Sequence, residues 1–150
     1  MRVLALDIGS RRIGVAMSDA DGTVASPLMV LDAGAYAPRR VGELVAEHGV
    51  GLVVVGLPLT LGGEEGPQAA AVRRSAAEIA GHIGVPITYY DERLTSAEAH
   101  KAMAPGVSSR ERRGLVDKVA AAMLLQAFLD SRRAGACTDD DIKEQDDHQS

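Results

Sequence analysis

Apolar residues come first in short unbroken runs and only later at helical spacing. Val3 to Asp7 and Ile13 to Ser18 read as buried strands, separated by a Gly-containing turn at Gly9 to Arg12. Asp21-Gly22 is a hairpin signal, so Thr23 to Leu31 is predicted as the third strand of an antiparallel meander. After Pro38 the period changes: Val41, Leu44, Val45 and His48 share one helical face, with Gly49 as the stop and His48 as no more than the helix end. Leu52 to Gly56 is a continuous buried strand, followed by the Gly-rich stretch Leu57 to Gly66. Pro67 opens a second helix whose Val72, Ala76, Ile79 and Ile83 form one stripe, closed by Gly84. Ile87 to Tyr90 is the fifth strand. Thr95-Ser96-Ala97-Glu98 reads as a capping box, which predicts a helix start just after Asp91-Glu92-Arg93-Leu94. A loop from Pro105 to Arg113 then leads into a last helix from about Leu115 to Arg133. With right-handed crossovers this order gives an α/β fold: a mixed five-stranded sheet, three antiparallel strands then two parallel, with helices on both faces.

Composition narrows the picture. A chain of 150 residues suits one domain, and with 46% hydrophobic but only 3% aromatic residues its core is aliphatic and alanine-rich. No apolar run approaches the roughly 18 residues of a membrane span, and Met1-Arg2 leads straight into a strand without a secretory pattern, so a cytoplasmic protein away from membranes is expected. The single Cys137 fits a reducing compartment. From Gly135 to Ser150 six acids face Lys143 alone, and this segment carries the entire net charge of −5. The expected organisation is therefore one domain over residues 1–134 and a disordered acidic tail over 135–150. In the electrically balanced remainder 13 bases are Arg, mostly in pairs, and arginine is the better bidentate phosphate ligand. Most such pairs are read as solvated helix faces.

Three acids stand where an open α/β sheet gathers its functional edge, outside the carboxyl ends of the strands. Asp7 ends the first strand, Glu92 follows the fifth, and Asp117 is placed in the first turn of the last helix. Each has a plain alternative: an Asx-type turn for Asp7, and service to the positive end of a helix for Glu92 and Asp117. Strands lie about 4.8 Å apart, so carboxylates on strand ends two places apart are roughly 10 Å from each other at the backbone, a gap that inward-reaching side chains and hydrated cations fill. Hard oxygen donors without a Cys/His cluster select Mg²⁺ or Mn²⁺. Arg11, Arg12, Arg93, Arg110, Arg112 and Arg113 are the bases nearest these acids in sequence and form the expected phosphate-binding rim, with Gly9 and Thr95 completing the substrate-binding set.

Four segments in this order, Asp7-Ile8-Gly9-Ser10-Arg11-Arg12-Ile13-Gly14, Gly56-Leu57-Pro58-Leu59, Asp91-Glu92-Arg93-Leu94-Thr95-Ser96-Ala97 and Asp117-Lys118-Val119-Ala120-Ala121, resemble the YqgF/RuvX family over roughly residues 1–133. The resemblance implies a ribonuclease H-like fold and nuclease activity, described both as Holliday junction resolution and as processing of the 5′ end of pre-16S rRNA. It also implies Asp7, Glu92 and Asp117 as catalytic, metal-binding acids. Where many nucleases of this superfold carry an acid after the fourth strand, this chain has Gly56-Leu57-Pro58, with Glu64 and Glu65 further along; Gly62 stands where family members commonly carry an acid.

The expected activity is metal-dependent hydrolysis of phosphodiester bonds in structured nucleic acid, an rRNA precursor first and branched DNA second, by a monomer or homodimer. A kinase or ATPase of the actin type shares the Asp-Ile-Gly turn but needs two such domains. The rival from another class is a non-catalytic nucleic-acid or ribosome-binding module. Tyr36, Tyr89, Tyr90 and Phe128 are few for stacking single-stranded bases, so backbone recognition is expected in either case.

Overall fold

The computed structural model describes residues 1–95 and 110–135, with the backbone path alone at 110–115 and 134–135. β1 (Arg2–Ile8), β2 (Arg12–Ser18) and β3 (Ala25–Asp32) form the antiparallel meander. α1 (Ala37–His48) carries the chain to β4 (Val50–Leu57), which pairs parallel with β1. α2 (Pro67–Ala80) leads to β5 (Ile87–Asp91), parallel to β4, and α3 (Arg110–Gly135) ends the described chain. The strand order is β3-β2-β1-β4-β5.

Strand alternation divides the apolar side chains between two layers. Leu4, Leu6, Ile13, Val15, Val53 and Val55 pack under α1 and α2. Val3, Ala5, Ala16 and Val54 face α3, whose Ala121, Leu124, Leu125, Phe128 and Leu129 complete the second core. Tyr90 meets Phe128 edge to face with ring centroids 5.8 Å apart. The small residues on the α3 side let this helix lie close to the sheet, and truncating Leu124 or Leu125 there costs about 2–5 kcal/mol.

The elements match the sequence pattern, and several boundaries differ, β4 for one starting at Val50 rather than Leu52. β3 begins at Ala25 rather than Thr23 because the Asp19 carboxylate gathers the Thr23 and Val24 N–H groups into the preceding turn. α2 stops at Ala80, where Gly81 takes up the carbonyls of Glu78 and Ile79, so Ile83 and Gly84 lie past the helix although Ile83 still packs on the core. Glu92–Leu94 is one 3₁₀ turn. The helix expected from Ser96, most of the Pro105–Arg113 loop, Cys137 and the acidic segment lie outside the described residues. The last helix starts at Arg110, not Leu115: Arg-Glu-Arg-Arg are good helix formers, and Gly114 is carried inside the helix. Asp117 is therefore two turns into α3. The macrodipole acts within the first turn, so the helix-start explanation for this acid no longer applies.

Candidate active site at the carboxyl edge of the sheet

Alternation puts Asp7 on the α3 side of β1, next along from Val3 and Ala5. The residue is 4% exposed. Its neighbour on β2 is Gly14. On the other side, the parallel register that pairs Leu6 with Val55 brings Gly56 alongside. The acid thus stands between two glycines facing the same helix, and each glycine makes room for a second acid. A Cβ on Gly14 would lie 2.2 Å from the Asp117 carbonyl oxygen, so only glycine lets α3 touch the sheet at this level. A Cβ on Gly56 would lie 2.6 Å from Glu92 Oε1 and 3.0 Å from a Leu124 methyl. The Glu92 carboxylate fills the space a side chain on β4 would take, on the strand next to the one that carries Asp7.

Glu92 is 6% exposed, while its neighbours have structural tasks. Asp91 accepts from the Arg93 N–H at 2.9 Å and so caps the 3₁₀ turn. The Thr95 hydroxyl donates to the Glu92 carbonyl at 3.0 Å and closes that turn. Between them these bonds hold the Glu92 backbone at the β5 exit. Arg93 Nε and Nη2 form a fork on the Asp91 carboxylate, and Nη1 donates to the Leu61 carbonyl at 3.4 Å. This guanidinium lies along Gly63, whose φ of 84° makes the turn of the small Leu59–Glu65 hairpin. The pairing with Arg93 holds the Asp91 carboxyl below its ordinary pKa. Arg93, expected on the phosphate rim, thus ties the hairpin to the end of β5.

The third acid is placed differently. Asp117 is at the same edge with its backbone on Gly14, but its Oδ2 accepts from Arg12 Nε at 2.5 Å. Among the described residues no three His, Cys, Asp or Glu side chains gather as one cation site. The structure sets Asp7 on β1 and the Glu92 carboxylate over the adjacent Gly56 of β4, with Asp117 at the same edge in an ion pair with Arg12.

Of the other expected contacts, Gly9 donates to the Arg12 carbonyl at 2.9 Å in a turn so tight that a Cβ on Gly9 would lie 2.9 Å from that oxygen. Ser10 and Arg11 are exposed at its tip. The backbone of Arg110, Arg112 and Arg113 is helical, and their side chains lie outside the described residues. Other arginines have acidic partners of their own: Arg39 and Arg40 with Glu43, Arg40 also with Glu47, Arg73 with Glu65, Arg133 with Asp130. Glu65, one of the two acids past β4, is thereby engaged in the hairpin. Two features escaped the sequence: Gly56 as the cradle of Glu92, and the Arg12–Asp117 pair across 105 residues. A glycine closing a buried valine run, opposite an acid after the next parallel strand, is the signal for the first.

Proteins from Chloroflexus aurantiacus and Chloroflexus aggregans, each named "Putative pre-16S rRNA nuclease", are 45% and 46% identical to this chain over 137 and 136 residues. The first match covers 88% of both chains, the second 87% of this chain and 94% of the relative. A Thermus thermophilus RuvC structure in complex with a Holliday junction substrate aligns with a TM-score of 0.55 at 17% identity, covering 89% of this chain and 96% of that one. That likeness shows the fold, a ribonuclease H-like one. Residues 1–131 match the family described as "RuvX: Holliday junction resolvase", and with relatives this similar over this much of its length, the chain belongs to the RuvX family.

Proposed function

We propose that this protein is a metal-dependent nuclease acting on the 5′ end of pre-16S rRNA, with Asp7, Glu92 and Asp117 as its catalytic acids. The observation that carries the reading is the buried Glu92 carboxylate received over Gly56 beside the buried Asp7. Both acids are buried at the edge where open α/β sheets bind ligands. The donor chemistry fits a hard divalent cation: carboxylate oxygens, with a glycine where a side chain would fill the cradle. Asp7 and Glu92 would hold it, with Asp117 as the neighbouring third acid. A Mg²⁺ or Mn²⁺ bound there supplies the charge that stabilises displacement of a phosphodiester oxygen by water. The chain's own part is to fix the carboxylates through Gly14, Gly56 and the Asp91-capped turn, and to offer Gly9, Ser10, Arg11 and Arg12 to the backbone of the substrate.

The RNA reading takes its support from the names of the relatives, which also fit a cytoplasmic protein. No described helix is long and apolar enough to cross a membrane. The family description supports branched DNA as the second substrate, and symmetric cleavage of a junction would require a homodimer. The test is cleavage of an end-labelled 16S 5′-leader RNA and a four-way DNA junction, side by side, with Mn²⁺ and with EDTA. Metal-dependent cleavage of the RNA at a defined site is expected. Cutting of the junction alone would establish the second reading, and cleavage of neither would leave a binding module.

A further inference from the structure

We propose that Arg12 is a latch on Asp117 that substrate phosphate releases: in the free protein the guanidinium holds the third acid, and it exchanges that carboxylate for a backbone phosphate when nucleic acid binds. The inference rests on the reading of Asp7, Glu92 and Asp117 as cation ligands.

The contact is built for exchange. Arg93 on Asp91 and Arg73 on Glu65 are forked pairs, two nitrogens on one carboxylate. Between Arg12 and Asp117 the bond is single, Nε to Oδ2. A phosphate offers the same guanidinium a bidentate partner, which is the stronger arrangement. Arg12 is also within reach of a polyanion. It ends the Gly9–Arg12 turn next to exposed Ser10 and Arg11, and its own side chain is 27% exposed.

What moves is limited by the packing. The Asp117 carbonyl lies against Gly14 with no room for a methyl group, so α3 cannot come closer to the sheet at this level, and an exchange of side-chain rotamers suffices. Released from Arg12, the Asp117 carboxylate stands at the same edge as Asp7 and Glu92 and completes a three-acid set that is not gathered among the described residues. Phosphate binding and cation affinity are then coupled, and by linkage the coupling is reciprocal. A cation would be held weakly until substrate arrives, which confines full assembly of the site to the complex with nucleic acid.

Both directions can be read without turnover. Mn²⁺ titration followed by electron paramagnetic resonance, without nucleic acid, should show affinity raised about tenfold in Arg12→Gln over the wild type, within the usual range of such couplings. Affinity equal to or below the wild type overturns the latch. Asp7→Asn separates the two levels of the argument: it should lose Mn²⁺ affinity, and if it does not, the reading of the site fails rather than the latch alone. In EDTA, Asp117→Asn should bind a labelled RNA duplex about tenfold more tightly, and that gain should vanish in an Arg12→Gln background. A gain that survives in the double variant is diffuse electrostatics and overturns the proposal. Should Arg12→Gln not fold, Asp130→Asn on the same helix supplies the comparison, since Asp130 pairs with Arg133 instead. Asp117→Asn must then tighten duplex binding more than Asp130→Asn does, and equal gains overturn the latch.

Discussion

At the residue scale the acids divide by what surrounds them. Asp19 lies on the surface, where the Thr23 hydroxyl and the Thr23 and Val24 N–H groups lower its pKa to about 2. A folded-state pKa below the unfolded value of about 3.9 adds stability that is present above pH 4 and lost as the pH falls toward 2. Asp19→Ala should therefore flatten the acid limb of the stability curve between pH 4 and 2, measured by denaturant unfolding. The same dependence in wild type and variant would show that the loop does not hold this proton equilibrium. Asp7 and Glu92 are buried at the carboxyl edge of the sheet, and an amide there keeps the volume of the carboxylate it replaces while removing its charge. Asp7→Asn and Glu92→Gln should melt cooperatively at or above the wild-type temperature in EDTA, whereas a marked drop in Tm would assign these acids to the architecture. Both were legible in the sequence as acids at strand exits. Arg12 on Asp117 was not, because nothing in one sequence ties residues 105 positions apart to each other.

At the scale of elements, two glycines set how closely α3 and the β5 exit approach the sheet. Gly14→Ala drives a methyl group into the Asp117 backbone and should cost about 1–3 kcal/mol in chemical denaturation, as overpacking does. Gly56→Ala meets Glu92 Oε1 and Cγ and a Leu124 methyl, side-chain atoms that give way more readily than the backbone opposite Gly14. This variant should keep most of its stability and lose divalent-cation binding by calorimetry; unchanged binding would mean that Glu92 does not need the cradle. The strands could be read from short aliphatic runs ended by glycine or a turn signal, since a buried strand needs little else. The start of α3 could not, because Gly114 and the arginines before it look the same in a loop as in an exposed helical turn.

For the whole molecule, the topology followed from element order once the crossovers are right-handed, and the two-layer core followed from strand alternation. The distribution of charge was harder to read. Arg pairs look alike in sequence, but Arg39 and Arg40 are occupied by Glu43 and Glu47 on α1, while Arg11 and Arg12 stand at the edge that holds the acids. Replacing Arg11 and Arg12 by Gln should lower the salt dependence of duplex DNA binding, by up to about 0.9 in logarithmic slope for each phosphate that is no longer neutralised. Arg39→Gln with Arg40→Gln should change it little, and equal effects in a salt titration would mean that the arginines act as diffuse charge. Glu92→Gln tests whether the acids at Gly56 perform hydrolysis. Cleavage of the end-labelled leader RNA in Mn²⁺ should be lost while the variant melts like the wild type and binds the RNA as tightly in EDTA. Cleavage by folded Glu92→Gln at the wild-type rate would contradict the account.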